Sequence, residues 1–297
     1  MSARELRGGC STVPAAGEGG ADTARLTRML TLTTHWLTPT DPKPAPGSAP
    51  ARDLVVVGPS LGTGVVALWQ ECARELAGLI DVDVLAWDLP GHGDGAPARE
   101  PFTLQDLAGA VVAAVALAAP GVAPGSWTHA GVSVGGATGL HLALAGAVRA
   151  SAVVCSGPQL GSPEGWAERA EQVREHGTAS MVDGSRERWF APGFLERGPH
   201  VAARLLDTLR AADDESYALV CGALGQHDVR DRLGQITVPV LALGGAADPV
   251  APPQVQEDLA AAVPGAEAVV LPGVGHLAPA EAPVATAEAL ARWLLEL

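Results

Sequence analysis

Two serines stand in the pattern Gly-x-Ser-x-Gly, which is typical of serines that attack carbonyl carbon. Ser60 lies in GPSLG and Ser133 lies in GVSVG. A serine hydroxyl becomes an effective nucleophile only when a base removes its proton and an acid orients that base. The pattern therefore predicts acyl chemistry at one of the two serines, and the residues around each serine must decide which one.

The neighbouring sequence favours Ser133. An activated serine of this kind needs a strand, a sharp strained turn and a helix, with small residues that let the strand and helix backbones approach. Trp127–Val132 is the predicted strand, GVSVGG supplies the small residues, and Ala137–Val148 is the predicted helix. We therefore predict that Ser133 is the nucleophile; the alternative is a structural serine in a tight turn.

A base and an acid follow Ser133 in the order Ser, Asp, His. Asp248, in GGAADPVAPP, comes just after the predicted strand Val238–Leu243, and His276, in GVGHLAP, comes just after Glu267–Leu271. Open α/β sheets place their sites on loops at the carboxyl ends of strands. We predict that both residues join Ser133, although Asp248 alone could form a turn before Pro249 and His276 could cap a helix or pack in the core.

Other polar residues offer weaker candidates for chemistry. We expect His92, in WDLPGHG, to stabilise a turn, and His129 (in a strand) and His141 (in a helix) to pack in the core. Clusters of His, Cys or carboxylate with metal-ligand spacing are missing from the sequence, and no Gly-x-Gly-x-x-Gly follows a strand. We therefore expect neither a metal nor another cofactor.

From Leu54 onward, the sequence alternates between short apolar runs and segments of helix length, and these elements must position the candidate residues. This alternation predicts a mostly parallel sheet with helices on both faces. The runs have the length of strands that are buried on both faces. The predicted strands are Leu54–Val57, Val82–Trp87, Trp127–Val132, Ala152–Cys155, Val238–Leu243 and Glu267–Leu271.

The alternation breaks once, between Cys155 and about Val238, where the sequence is charged and helical in pattern. One helix is well marked there, with Ser162 as the cap, Pro163 first and Gly177 as the stop. We predict a helical lid over 158–231, inserted into an α/β core of 51–157 and 232–297. Residues 1–50 form a partly flexible N-terminal segment in which Leu30–Leu37 is a candidate strand and 41–52 is a connector.

Composition excludes several classes of partner. The net charge of −14 and the single lysine, Lys43, argue against nucleic acid and against an anionic membrane surface. We expect a soluble cytoplasmic protein without a signal peptide, because the N-terminus has no apolar run. The cysteines at 10, 72, 155 and 221 show no paired spacing and are expected to be reduced.

Several phrases together resemble a known family. GPSLGT, WDLPGHG, GVSVGGATGLHLAL and GVGHLAP are similar to the α/β-hydrolase superfamily. The phrases WAER, RWFAPGF and DVRDRLGQI are more similar to the 3-oxoadipate enol-lactonases of aromatic-ring degradation. The resemblance covers nearly all residues from Leu54 onward and implies an α/β-hydrolase fold.

The resemblance also implies roles for the first serine loop. In this fold the early loop supplies one oxyanion-binding amide and the residue after the nucleophile supplies the other. Leu61 and Val134 are the matching residues, and Ser60 lies beside Leu61 on the oxyanion-binding side of the site. The family often has Asn where Pro59 stands and a second acid where Ala247 stands, so Asp248 is the single acid.

The implied reaction is opening of a small enol-lactone that bears an acetate arm, which gives 3-oxoadipate. The anionic arm needs a cation, and the predicted lid offers Arg169, Arg174, Arg186 and Arg188 beside Trp166 and Trp189. We favour Arg169 and Trp166 as substrate-binding residues, with Arg169 paired to the carboxylate; each arginine could equally be a solvated helix residue paired with a glutamate.

The alternative functions are those of an esterase or lactonase acting on another small substrate, or of a ligand sensor with slow turnover. A haloalkane dehalogenase would carry Asp at 133. The oligomeric state does not follow from the sequence.

Overall fold

The computed structural model describes residues 30–38 and 52–297. The rest of the predicted N-terminal segment, nearly all of the predicted connector at 41–52, and Cys10 lie outside these residues. Of the described cysteines, Cys72, Cys155 and Cys221 are buried free thiols.

Seven strands of the described chain form one sheet in the order β1-β3-β2-β4-β5-β6-β7. β1 pairs antiparallel with β3, and all other neighbours are parallel, so the predicted α/β class is confirmed. The strands are β1 Thr34–Trp36, β2 Asp53–Gly58, β3 Val82–Trp87, β4 Thr128–Val132, β5 Ala150–Val154, β6 Val240–Gly245 and β7 Glu267–Leu271.

Central strands are buried on both faces, as their apolar sequences require. β3, β4, β5 and β6 are buried along their whole length, because helices cover both sides of a parallel sheet. The prediction was wrong for β7, whose first two residues, Glu267 and Ala268, are exposed. β7 is the last strand of the sheet and has a neighbour on one side only.

Six helices of the described chain belong to the core. Thr103 caps the second of them in a reciprocal capping box with Asp106, which explains why it begins where it does. The third begins directly after Ser133 and ends at Leu144, whereas the sequence predicted Ala137–Val148. The core helices are α1 Val65–Leu79, α2 Leu104–Ala118, α3 Val134–Leu144, α9 Pro253–Ala262, α10 Ala278–Glu281 and α11 Pro283–Leu295.

Five further helices lie between β5 and β6, in the region predicted as a lid. They are α4 Pro163–His176, α5 Val182–Trp189, α6 Phe194–Arg197, α7 Pro199–Ala211 and α8 Asp214–Gly225. The predicted ends of α4 are confirmed: the Ser162 hydroxyl accepts from the Gly165 amide, Pro163 is first, and Gly177 follows with φ of 74°. We call residues 158–231 the inserted segment.

The inserted segment leaves the core and returns to it at one place. The Val229 amide donates to the Pro158 carbonyl at 3.0 Å, and Gln159 and Asp228 form an antiparallel bridge. His227 Nε2 lies 3.1 Å from the Gly157 carbonyl. The two connections therefore run side by side, so the inserted segment leaves and rejoins the core at neighbouring points. Among the described residues, every helix falls short of the length and apolarity that a bilayer span requires.

The strand order creates a switch point at β2. The chain passes from β2 to β3 on one side and then to β4 on the other side of β2. At such a point the loops that follow two neighbouring strands, here β2 and β4, diverge and leave a crevice at the carboxyl edge of the sheet. The loop that carries Ser60 follows β2 and Ser133 follows β4, so both predicted serine loops border this crevice.

Close packing between β4 and α3 depends on glycine. A Cβ atom on Gly131 would lie 2.3 Å from the carbonyl carbon of Gly135. A backbone atom cannot rotate away as a side chain can, so any larger residue must separate the strand from the helix.

We therefore expect Gly131→Ala to destabilise the fold by about 2 kcal/mol or more, as overpacked cores do. The matched control is Gly109→Ala in α2, where a Cβ atom meets nothing within 4 Å. That change should stabilise the protein by about 0.5 to 1 kcal/mol, because alanine favours the helix. Urea denaturation midpoints measure both variants, and equal midpoints would contradict the packing argument.

Candidate active site

Ser133 occupies a strained turn between β4 and α3. Its φ of 54° and ψ of −115° are conformations that residues with a side chain rarely adopt. The Ser133 amide donates to the Val154 carbonyl at 2.9 Å, and the Ser156 hydroxyl donates to the Ser133 carbonyl at 2.6 Å. These bonds to β5 and the residues after it hold the turn in its strained form.

Asp248 and His276 are joined by a direct hydrogen bond. His276 Nδ1 lies 2.9 Å from Asp248 Oδ2, and both side chains are buried. The other oxygen, Oδ1, accepts from the amides of Val250 at 2.8 Å and Ala251 at 3.2 Å. Burial acts to raise the pKa of the Asp248 carboxyl, but the charge and hydrogen bond of His276 and the two amides outweigh burial and lower that pKa.

The ionised carboxylate determines the tautomer of the imidazole. A carboxylate can only accept hydrogen bonds, so Nδ1 of His276 must carry the proton that it donates. Nε2 is then the unprotonated nitrogen of the neutral ring. His276 can therefore accept a proton at Nε2 while Asp248 stabilises the charge that results.

One cavity of about 300 Å³ brings the strand-end residues and the inserted segment together. Ser133 and His276 line it from the core, and Ser60 and Leu61 line it from the loop after β2. Asp248 lies behind His276 and does not line the cavity. The remaining lining residues are Leu160, Gly161, Ser162, Gly165, Trp166, Arg169, Ser185, Arg188, Trp189, Tyr217, Pro249 and Val250.

The two predicted oxyanion-binding amides are held on adjoining backbone segments. The Gly135 amide donates to the Pro59 carbonyl at 3.0 Å, which ties the start of α3 to the loop after β2. Val134 is the first residue of α3, so its amide lies in the first turn and has no acceptor within the helix. Pro59 thus contributes a carbonyl to the contact that positions the Leu61 and Val134 backbones.

A side chain fixes the same loop from within. Thr63 Oγ1 accepts from the Ser60 amide at 3.1 Å and donates to the Ser60 carbonyl at 2.8 Å. Both backbone groups of Ser60 are therefore engaged, and Ser60 lines the cavity. This pair of hydrogen bonds closes the loop between Ser60 and Thr63.

Two of the four candidate arginines line the cavity. The Arg169 guanidinium lies 4.9 Å from the centre of the Trp166 ring, whose Nε1 donates to the Leu160 carbonyl at 2.5 Å. Arg188 is half-buried, and burial and then the charge of Arg169 lower the pKa of its guanidinium. Within residues 30–38 and 52–297, no carboxylate lies within salt-bridge distance of either guanidinium.

The other two candidate arginines lie outside the cavity. Arg174 forms two hydrogen bonds with Glu215, at 2.8 and 2.9 Å, across α4 and α8. Arg186 is exposed and does not line the cavity. Tyr217 lines the cavity without having been predicted; the inserted segment has no sequence motif that indicates which of its faces is turned inward.

The remaining histidines have structural contacts. His92 Nδ1 lies 2.8 Å from the Pro90 carbonyl, inside the turn as expected. His129 is fully buried beside Trp87, and burial lowers its pKa to about 3. His141 is less buried than predicted, and its Nε2 lies 3.2 Å from Nδ1 of His227. None of the three lines the cavity.

One group in the described part of the chain has the donor types of a metal site. His35, Asp88 and Asp94 have ligand atoms within 4.8 Å of one another. The Asp88 oxygens already accept from the amides of Val65 at 2.8 Å and Asp94 at 3.1 Å and lie 2.9 Å from His35 Nε2. The geometry is that of a loop held by one aspartate.

Known proteins resemble this chain in sequence and in structure. The model of the alpha/beta hydrolase family matches residues 54–289. The 3-oxoadipate enol-lactonase 2 of Acinetobacter baylyi is 34% identical over 203 residues, which are 67% of this chain and 73% of that protein. The pimeloyl-[acyl-carrier protein] methyl ester esterase of Vibrio cholerae is 29% identical over 263 residues, or 84% of this chain and 95% of the esterase.

Among solved structures, the enol-lactonase from Burkholderia xenovorans superposes with a TM-score of 0.78 at 29% identity. The match covers 89% of this chain and 96% of the enol-lactonase. The family model spans the core strands that carry Ser133, Asp248 and His276 as well as the inserted segment. The chain belongs to the alpha/beta hydrolase family.

Proposed function

We propose that this protein hydrolyses a small enol-lactone that bears a carboxylate, converting 3-oxoadipate enol-lactone to 3-oxoadipate through an acyl-enzyme on Ser133. The observation that carries the proposal is one cavity lined by both Ser133 and His276 and by two arginines without a carboxylate partner among the described residues. Such a cavity suits a ligand that combines a carbonyl to be attacked with an anionic group.

The charge of the arginines supports an anionic ligand. Arg188 and Arg169 repel each other, and Arg188 is half-buried in a protein whose net charge is −14. A half-buried charge without a salt-bridge partner is unfavourable. A carboxylate between the two guanidinium groups would offset the lost hydration of Arg188 and the repulsion between Arg188 and Arg169. The Trp166 ring packs against the Arg169 guanidinium and is itself hydrogen-bonded to the Leu160 carbonyl. These contacts restrict the Arg169 side chain before a ligand binds, so less side-chain entropy is lost on binding.

The first half of the reaction forms the acyl-enzyme. The Ser133 hydroxyl attacks the lactone carbonyl while Nε2 of His276 takes its proton. The amides of Leu61 and Val134 stabilise the negative charge on the carbonyl oxygen. The ring C–O bond then breaks, His276 returns the proton to the enolate oxygen, and the resulting enol tautomerises to a ketone that cannot readily re-form the ring.

The second half releases the product. His276 removes a proton from water, and the hydroxide attacks the Ser133 ester. The ester C–O bond breaks and the Ser133 oxygen recovers the proton. The product has two carboxylates, one formed at Ser133 and one that was present in the substrate arm. Asp248 keeps the Nδ1 proton in place during both halves.

The comparisons support the proposal. Two enol-lactonases, one matched by sequence and one by structure, are similar over two thirds or more of this chain. The esterase from Vibrio cholerae is similar over a larger share of the chain at lower identity, so hydrolysis of another small carboxylate-bearing ester is the second candidate. Both candidates use the same three residues and differ in what fills the cavity.

We expect Ser133→Ala to lower kcat for enol-lactone hydrolysis by roughly 10³-fold or more, because the acyl-enzyme cannot form. Disappearance of the enol-lactone is followed spectrophotometrically. Ser60→Ala is the matched control: it removes the other motif serine and should leave most of the activity. Retained turnover in Ser133→Ala would contradict the assignment of the nucleophile.

A substrate panel separates the two candidate functions. The wild-type protein is compared on the enol-lactone, on methyl monoesters of short dicarboxylic acids and on neutral aryl esters. The proposal requires kcat/KM to be highest for the enol-lactone. A higher value for a monoester would favour the second candidate.

We expect Arg169→Ala to raise KM for the enol-lactone roughly 30-fold with little change in kcat, because a charge-assisted hydrogen bond contributes about 2 kcal/mol. The KM for a neutral aryl ester should change far less. Arg174→Ala is the matched control, since it removes a positive charge from the same helix outside the cavity. An unchanged KM for the anionic substrate would rule out Arg169 as its partner.

A further inference from the structure

The loop that carries His276 is held by the inserted segment as well as by the core. The amides of His276 and Leu277 both donate to the Trp189 carbonyl, at 3.0 and 3.3 Å. Trp189 is the last residue of α5 and lines the cavity with Arg188. The backbone of the base is therefore bonded to the same helix that carries one of the cavity arginines.

A single carboxylate joins these two backbones a second time. Glu281 Oε2 accepts from the Gly275 amide at 3.1 Å, on the residue before His276. Both oxygens of Glu281 also lie within reach of the Ala191 amide, at 3.2 and 3.3 Å, two residues after Trp189. Every partner of the carboxylate is a donor, which matches an ionised side chain with no proton of its own.

The packing around Gly275 leaves little room for this contact to change. A Cβ atom on Gly275 would lie 2.6 Å from the Ala191 nitrogen and 2.8 Å from Glu281 Oε2. On the other side of the loop, Cys155 Sγ lies 3.7 Å from the Gly275 carbonyl. Gly275 is thus bonded through its amide to Glu281 and through its carbonyl to the buried thiol.

Removing the Glu281 acceptors would leave two backbone amides without partners. The Gly275 amide is buried, and a buried donor without an acceptor is unfavourable enough to displace the loop that contains it. The displaced loop carries the base, and a shift of about 1 Å in a catalytic group can lower a rate by roughly 100-fold.

We propose that Glu281 is a positioning residue, which holds segment Trp189–Ala191 against the Gly275–Leu277 loop so that His276 is aligned only while the inserted segment is seated. This inference rests on the proposed function, because it assigns Glu281 to the reaction that His276 serves. It links the cation that faces the substrate to the base: Arg188 and the Trp189 carbonyl lie on consecutive residues of α5.

The groups around Glu281 act on its pKa in opposite directions, and burial prevails, so that the pKa is raised. Burial raises the pKa of Glu281, the amides of Ala191 and Gly275 and the charge of Arg197 lower it, and the charge of Asp248 raises it. His276 itself faces Asp248.

The experiment compares Glu281→Ala, Glu281→Gln and the control Glu288→Gln on a neutral substrate, 4-nitrophenyl acetate, with Ser133→Ala as the blank. Glu288 is exposed on α11, so its variant should match the wild type. We expect Glu281→Ala to lower kcat roughly 10- to 100-fold with KM nearly unchanged. Glu281→Gln keeps one acceptor oxygen and should lose less activity than Glu281→Ala.

Amide hydrogen exchange supplies a readout that does not need turnover. Peptides that contain 189–191 and 275–277 should exchange faster in Glu281→Ala than in the wild type or in Glu288→Gln. Faster exchange with an unchanged kcat, or a rise in KM alone, would overturn the positioning role. A wild-type protein with no turnover beyond the Ser133→Ala blank would instead overturn the proposed function, while the exchange result would still report the contact. If Glu281→Ala fails to fold, Glu281→Gln decides by its kcat and by the exchange of the two peptides, and values equal to the wild type would overturn the proposal.

Discussion

The constraint on which the site depends is the close approach of β4 and α3 at Ser133. The turn can hold a side chain at φ of 54° because hydrogen bonds to Val154 and from Ser156 fix the backbone on either side. Strain of this kind contributes an unfavourable energy of roughly 1 to 3 kcal/mol and persists only where surrounding structure enforces it. The bond from Gly135 to Pro59 uses the same approach to bring the loop after β2 against the start of α3. One packing requirement therefore sets the positions of Ser133, the proposed nucleophile, and of the two segments proposed to bind the oxyanion.

Much of this arrangement could be predicted because parallel strands end at one edge of a sheet. Ser133, Asp248 and His276 each follow an apolar run, and the structure has each on a loop after β4, β6 or β7. The start of α3 was predicted three residues late, since Gly135 and Gly136 have low helix propensity and read as turn residues. Both positions lie inside the helix, and they need glycine because a Cβ atom there would collide with Pro59 or Ser156. Local propensity was overruled there by packing between distant segments.

The sequence of the inserted segment does not show which of its arginines face the cavity. Four arginines occur in similar charged helical stretches, and the residue types do not show which of them face inward. The packing of α4 against α8 decides the matter: Arg174 meets Glu215 on the outer side, and Arg169 lies over Trp166 on the cavity side. The contacts of Glu281 could not be predicted either, because its partners are backbone amides, one of them 90 residues away, and every residue type except proline has such an amide.

The contacts of the inserted segment argue against treating it as a passive cover. A cover needs only to exclude water, and apolar packing on the rim would be enough for that. Here the Trp189 carbonyl accepts hydrogen bonds from the amides of His276 and Leu277, and the Glu281 carboxylate accepts from the amides of Ala191 and Gly275. Since α5 also carries Arg188, the helix that lines the cavity with a cation and the loop that carries His276 are held in one arrangement by backbone hydrogen bonds.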